Sequence, residues 1–88
     1  VDAEGTGMVS LSQCNLYQWG RDPGVAAVNI RSGSLMMQGC SFGLSKPHLY
    51  LGEPVASAVV IGNTFRGAPQ ITNQAAGETQ ILANVSRP

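Results

Sequence analysis

Apolar residues fall on alternate positions in one short stretch, Ser34-Leu35-Met36-Met37-Gln38-Gly39-Cys40-Ser41-Phe42, and the chain returns to that pattern three more times. The other copies lie at 9–16, 58–65 and, in shortened form, 79–85, each with Cys or Asn at one fixed place: Cys14, Cys40, Asn63 and Asn84. Aligned on these anchors, successive copies are 26, 23 and 21 residues apart. Leu11, Met37, Val60 and Ile81 stand three positions before the anchor, and Val9, Leu35, Ala58 and Thr79 stand five before it. Leu16, Phe42 and Phe65 stand two after it, and that column lapses at Ser86. Apolar residues at every second position are the strand period, and a repeat near two dozen residues marks a solenoid whose coils bury their apolar faces on one another. The anchor falls where the strand must bend, and stacked Asn side chains hydrogen-bond from turn to turn there, as amide ladders do.

Each coil carries one more short strand. Residues 25–30 alternate weakly, with Ala26, Val28 and Ile30 on one face, and His48-Leu49-Tyr50-Leu51 and Gln70-Ile71-Thr72-Asn73 take the same place in the next coils. Turn residues cluster at 17–24, 31–33, 43–47, 52–54 and 66–69. Residues 1–7 show no period and read as a lead-in loop or the tail of a preceding coil. No helical run of apolar residues survives a count against the strand reading. The expected fold is all-β, a parallel β-helix of about three and a half coils, with 1–88 as one segment.

The bends Gly39-Cys40-Ser41-Phe42 and Gly62-Asn63-Thr64-Phe65 carry a resemblance. Set after short alternating strands, they resemble the C-terminal coils of the right-handed, single-stranded parallel β-helix of the pectate-lyase-like superfamily. Gln13-Cys14-Asn15-Leu16 and Ala83-Asn84-Val85-Ser86 depart from that bend at the Gly or the Phe, and the likeness spans residues 8–86. It implies the scaffold segment of an extracellular or periplasmic carbohydrate-active protein, a polysaccharide lyase or glycoside hydrolase with its catalytic residues outside this chain. The reading of different class is a non-catalytic structural or binding β-helix, such as an adhesin or tailspike segment. A lyase of this kind gathers carboxylates around calcium and sets a base beside the sugar. Asp2, Glu4, Asp22, Glu53 and Glu78 are instead dispersed among turn residues, and neither a catalytic set, a metal site nor a cofactor is expected.

Composition adds three constraints. Five basic and five acidic residues cancel, and charged residues are 11% of the chain, well under the usual figure of about 25%, so no basic face for nucleic acid is implied. No segment approaches the ~18 apolar residues of a membrane span. Cys14 and Cys40 share a column in successive turns, with backbones about 4.8 Å apart and parallel Cβ vectors, which favours two stacked free thiols over a disulfide.

Among single residues, Trp19 with Tyr17, Arg21 and Asp22 is the candidate for substrate contact, because a sugar ring stacks on an aromatic face while charged neighbours bond its hydroxyls. The competing reading has Trp19 covering the side of the coil. His48 lacks any companion ligand and is expected at the surface edge of its strand, and Arg31 and Arg66 are expected to pair with a nearby acid or with water. A parallel stack leaves open strand edges at both ends, and no amphipathic cap is evident at either. The expected partners are therefore the remainder of a parent chain or another β-helix chain, with polysaccharide as ligand. Outward positions place Met36, Val59, Ile61 and Leu82 in one apolar patch that a further segment or chain is expected to cover.

Overall fold

The computed structural model describes residues 1–17, 19 and 25–87. The described residues form twelve short strands: β1 (Asp2–Ala3), β2 (Met8–Ser12), β3 (Asn15–Leu16), β4 (Val28–Ile30), β5 (Gly33–Gln38), β6 (Ser41–Phe42), β7 (Leu49–Leu51), β8 (Val55–Ile61), β9 (Thr64–Arg66), β10 (Ile71–Asn73), β11 (Glu78–Leu82) and β12 (Val85–Arg87). Every third strand stacks on the last. The result is three four-stranded parallel sheets, A (β1-β4-β7-β10), B (β2-β5-β8-β11) and C (β3-β6-β9-β12). Three consecutive strands make one rung, so the molecule is an all-β parallel solenoid, close to the coil count read from the repeat. The first seven residues are not a free loop: β1 pairs in parallel with β4.

The register matches the anchor alignment. Leu11, Met37, Val60 and Ile81 pair in one column, and Val9, Leu35, Ala58 and Thr79 in the next. Leu16, Phe42, Phe65 and Ser86 form the column of sheet C. Antiparallel pairing would have scattered these sets. Parallel stacking instead places each side chain on its repeat equivalent about 4.8 Å away. Sheet A contributes Val28 and Ile30 from one rung and Leu49 and Leu51 from the next, all fully enclosed.

Burial is graded along the stack. The second and third rungs hold the closed core, including Leu35, Met37, Phe42, Val60 and Phe65. The first rung offers Ala3, Val9, Leu11, Cys14 and Leu16 to that core, each only partly covered. In the fourth rung three of the inward columns turn polar, at Asn73, Thr79 and Ser86, and Asn73 Nδ2 donates to Thr79 Oγ1 at 3.1 Å.

The residue before each anchor sits in the left-handed region, with φ of 53° at Gln13, 66° at Gly39, 66° at Gly62 and 55° at Ala83. Glycine adopts this conformation freely and an L side chain does not. Gln13 and Ala83 therefore keep the bend although they depart from its sequence, because the hydrogen bonds around it are those of the stack: Ser41 N to Cys14 O at 2.8 Å, Thr64 N to Cys40 O at 2.9 Å and Val85 N to Asn63 O at 2.8 Å.

Candidate functional site

The bend between sheets B and C carries a directional polar ladder. Asn63 Oδ1 accepts the Cys40 N–H at 2.9 Å, and Asn84 Oδ1 accepts the Asn63 N–H at 3.0 Å and Asn63 Nδ2 at 3.1 Å. Asn63 Nδ2 also donates to Met37 O at 3.3 Å, as Asn84 Nδ2 does to Val60 O at 3.2 Å. Each anchor side chain thus takes up the backbone donor of the rung before it, which a buried bend requires. The cysteines continue the series in sulfur. The Cys14 and Cys40 thiols each turn to a carbonyl of their own strand, Ser12 O and Gln38 O, at 3.6 Å. Both thiols are free, and burial is the main reason that Cys40 is held above the ordinary thiol pKa. This ladder builds the fold; its groups are consumed by one another.

His48 departs from expectation. Rather than lying at the surface, its ring is wholly buried against Phe42 and Phe65, with centroids 5.3 and 5.0 Å away, while those two phenyl rings stack at 4.9 Å. Nδ1 accepts the Gln70 N–H at 3.0 Å, which assigns the proton to Nε2, the donor to Leu44 O at 2.8 Å. Burial lowers its pKa, the hydrogen bonds to backbone carbonyl groups opposing that shift. The neutral imidazole is a structural cross-link between rungs.

Of the four residues expected to contact substrate, Arg21 and Asp22 lie outside the described residues. Trp19 covers the side of the coil: Nε1 donates to Pro47 O at 2.8 Å, and the ring meets Phe42 edge-on at 5.9 Å and His48 at 5.8 Å. Tyr17 is exposed and lies across Gly43 of the next rung, where a Cβ would collide with the phenol ring. Tyr17 thus lies over Gly43, and Trp19 over Phe42 and His48.

A different group of side chains does share a face. Asp2, Asn29, Tyr50 and Thr72 form the outward column of sheet A, one per rung. Arg31 Nε bonds Asp2 Oδ1 at 3.0 Å, an exposed pair, and Tyr50 Oη donates to Gln74 Oε1 at 3.4 Å. Asp2 holds the guanidinium above its ordinary pKa, so Arg31 is a permanent cation. Asn29, Arg31, Tyr50 and Thr72 border a shallow depression of about 240 Å³, floored at its edges by Val25, Ala26, Pro47 and Leu49. Its chemistry is one aromatic face with amide, hydroxyl and guanidinium groups at rung spacing. Sequence reading passed over it, although the signal was present: Tyr50 stands between Leu49 and Leu51, so inward leucines on both sides force it outward. Among the described residues, no three of His, Cys, Asp or Glu are grouped.

No family model matches the chain, and no curated protein or solved structure matches it.

Proposed function

We propose that this chain is a solenoid scaffold segment that presents the outer face of sheet A to a carbohydrate, in an extracellular setting. The observation that carries the reading is the column Asn29, Tyr50 and Thr72 with Arg31 and Gln74 beside it, bordering an open depression rather than a closed cavity. An extended polymer lying along the stack meets a repeated set of polar groups at about 4.8 Å intervals, and the flat Tyr50 ring offers a stacking platform for a sugar face. Arg31, whose Nε and Nη2 are held by Asp2, keeps its remaining N–H groups as donors suited to a sugar carboxylate, and an acidic chain is the ligand proposed. The role is binding and positioning. Chemistry, where the parent protein performs any, belongs to residues beyond these.

Titration calorimetry with matched acidic and neutral oligosaccharides tests the reading. Tyr50→Ala is expected to reduce binding of the acidic ligand at least tenfold, with Tyr17→Ala leaving it unchanged. Equal affinity in the Tyr50 variant, or no binding to any oligosaccharide, refutes it.

A further inference from the structure

Charge is unevenly placed around the solenoid. Among the described residues the acids Asp2, Glu4, Glu53 and Glu78 lie in sheet A, in the turns from sheet A to sheet B, or at the start of β11. Lys46, Arg66 and Arg87 lie instead in sheet C or in the turn that leaves it. Arg66 is exposed and faces outward, because Phe65 before it is fully buried. It was expected to pair with an acid or with water, and the described residues give it no acid: the ion pair formed among them is Arg31 with Asp2.

The next rung adds to the charge rather than cancelling it. β12 pairs with β9 so that Arg87 stands in register with Arg66, and parallel stacking sets such positions about 4.8 Å apart. Like charges side by side on adjacent strands destabilise a sheet. In the preceding rung the equivalent of Arg66 is Gly43, since Phe42 pairs with Phe65, and the Tyr17 ring fills the place of its missing side chain. Neither flanking rung therefore supplies a counter-charge in this column. We infer that the column of Arg66 and Arg87 is a binding site for a tetrahedral oxyanion, the phosphoryl or sulfuryl group of an ester ligand, which bridges the two rungs. A carboxylate gives both its oxygens to one guanidinium fork and is satisfied by a single arginine. A phosphoryl or sulfuryl ester keeps three terminal oxygens and serves donors from two. Lys46, exposed in the turn that leaves sheet C, adds to the positive field that draws such a group in. The site stands on a different sheet from Tyr50 and Arg31 and does not depend on the role proposed for them.

Nuclear magnetic resonance on the full chain tests this with inorganic phosphate and inorganic sulfate, each added against sodium chloride of matched ionic strength. The backbone amide signals of Gly43, Arg66 and Arg87 are expected to move along a saturating curve with at least one of the two anions, and the anion that saturates names the ester. Arg66→Gln is expected to weaken binding by about tenfold or more, and Arg66→Lys, which keeps the charge and loses the fork, to weaken it less. Gln80→Glu lowers the net charge by the same single unit on sheet B and is expected to leave the curve in place. The like-charge column supplies a second readout. In dilute chloride without either anion, Arg66→Gln is expected to raise the urea midpoint, and the saturating anion to remove that advantage by stabilising the parent chain alone. Signals that never saturate, or that drift alike in all three sheets with ionic strength, overturn the proposal. A curve unchanged in Arg66→Gln overturns it as well. So does an anion-free urea midpoint that fails to rise in that variant, since the column would then already be neutralised.

Discussion

Replacing Asn63 with alanine isolates the energetic weight of the polar ladder. Asn63 is fully buried, and its side chain is the partner of the Cys40 N–H and of Met37 O. Alanine leaves the Cys40 donor in a dry bend with nothing to bond, a loss of about 1–3 kcal/mol. The Met37 carbonyl and the space left by the amide raise the expected cost to about 2–5 kcal/mol. Set against a stability of about 4–13 kcal/mol for a domain of this length, that is a large fraction of the whole. Asn84 makes the equivalent bonds one rung on, to the Asn63 N–H and Val60 O, but at the open end of the stack, where water replaces what alanine removes. Asn84→Ala is expected to cost only about 1 kcal/mol. Urea unfolding followed by Trp19 fluorescence measures both, because that indole packs on Phe42 and His48 and reports loss of the core. Amide exchange at Cys40 supplies the local readout, with protection falling in the Asn63 variant alone. If the two variants lose the same stability to within about 0.5 kcal/mol, the ladder is not carrying its load through buried donors and the reasoning fails.

Two further outcomes follow from backbone and proton chemistry. Ala83→Gly and Gln13→Gly each relieve a side chain held at positive φ, at 55° and 53°, and each is expected to stabilise the fold by roughly 1 kcal/mol in the same urea assay; a loss in both would refute the strain assigned to the bend. His48 is the chain's one histidine and its folded pKa is lowered, so above the unfolded value of about 6.5 it is neutral in both states and stability is complete. As pH falls below about 6.5 the unfolded chain takes up the proton first, and stability drops by at most about 1.4 kcal/mol per pH unit until the folded pKa is reached. A urea midpoint that stays flat from pH 7.5 to pH 5 would refute the burial of the neutral ring, and His48→Phe is expected to flatten the slope.

What the sequence disclosed and what it hid divide along one physical line. Inside a straight strand, alternation fixes which side chain points inward, so the columns through Met37 and Leu35 and the placing of Asn63 above Asn84 were all legible from spacing. At a corner that rule lapses. The amides of both His48 and Leu49 bond Gln70 O, the chain turns there, and two consecutive side chains go inward, so His48, expected at the surface edge of its strand for want of a companion ligand, is buried instead. Trp19 stands among turn formers with no period to orient it, so its sequence left two readings open; the Pro47 carbonyl, 28 positions away, and the Phe42 and His48 rings hold it against the side of the coil. Gln13 and Ala83 show the converse, since a local departure from glycine did not change the bend; the stack dictates φ there and the side chain bears the strain. The outward face at Asn29, Tyr50 and Thr72 was legible in principle by the same alternation that found the core. It went unread because the repeat makes its inward columns alike and leaves its outward columns free to differ. On those outward columns one rung constrains the next less than it does in the core, through single contacts such as Arg31 with Asp2 and Tyr50 with Gln74. Spacing therefore recovers the core of such a chain far better than its outer faces, and those become visible only when the register shows which unlike residues stand side by side.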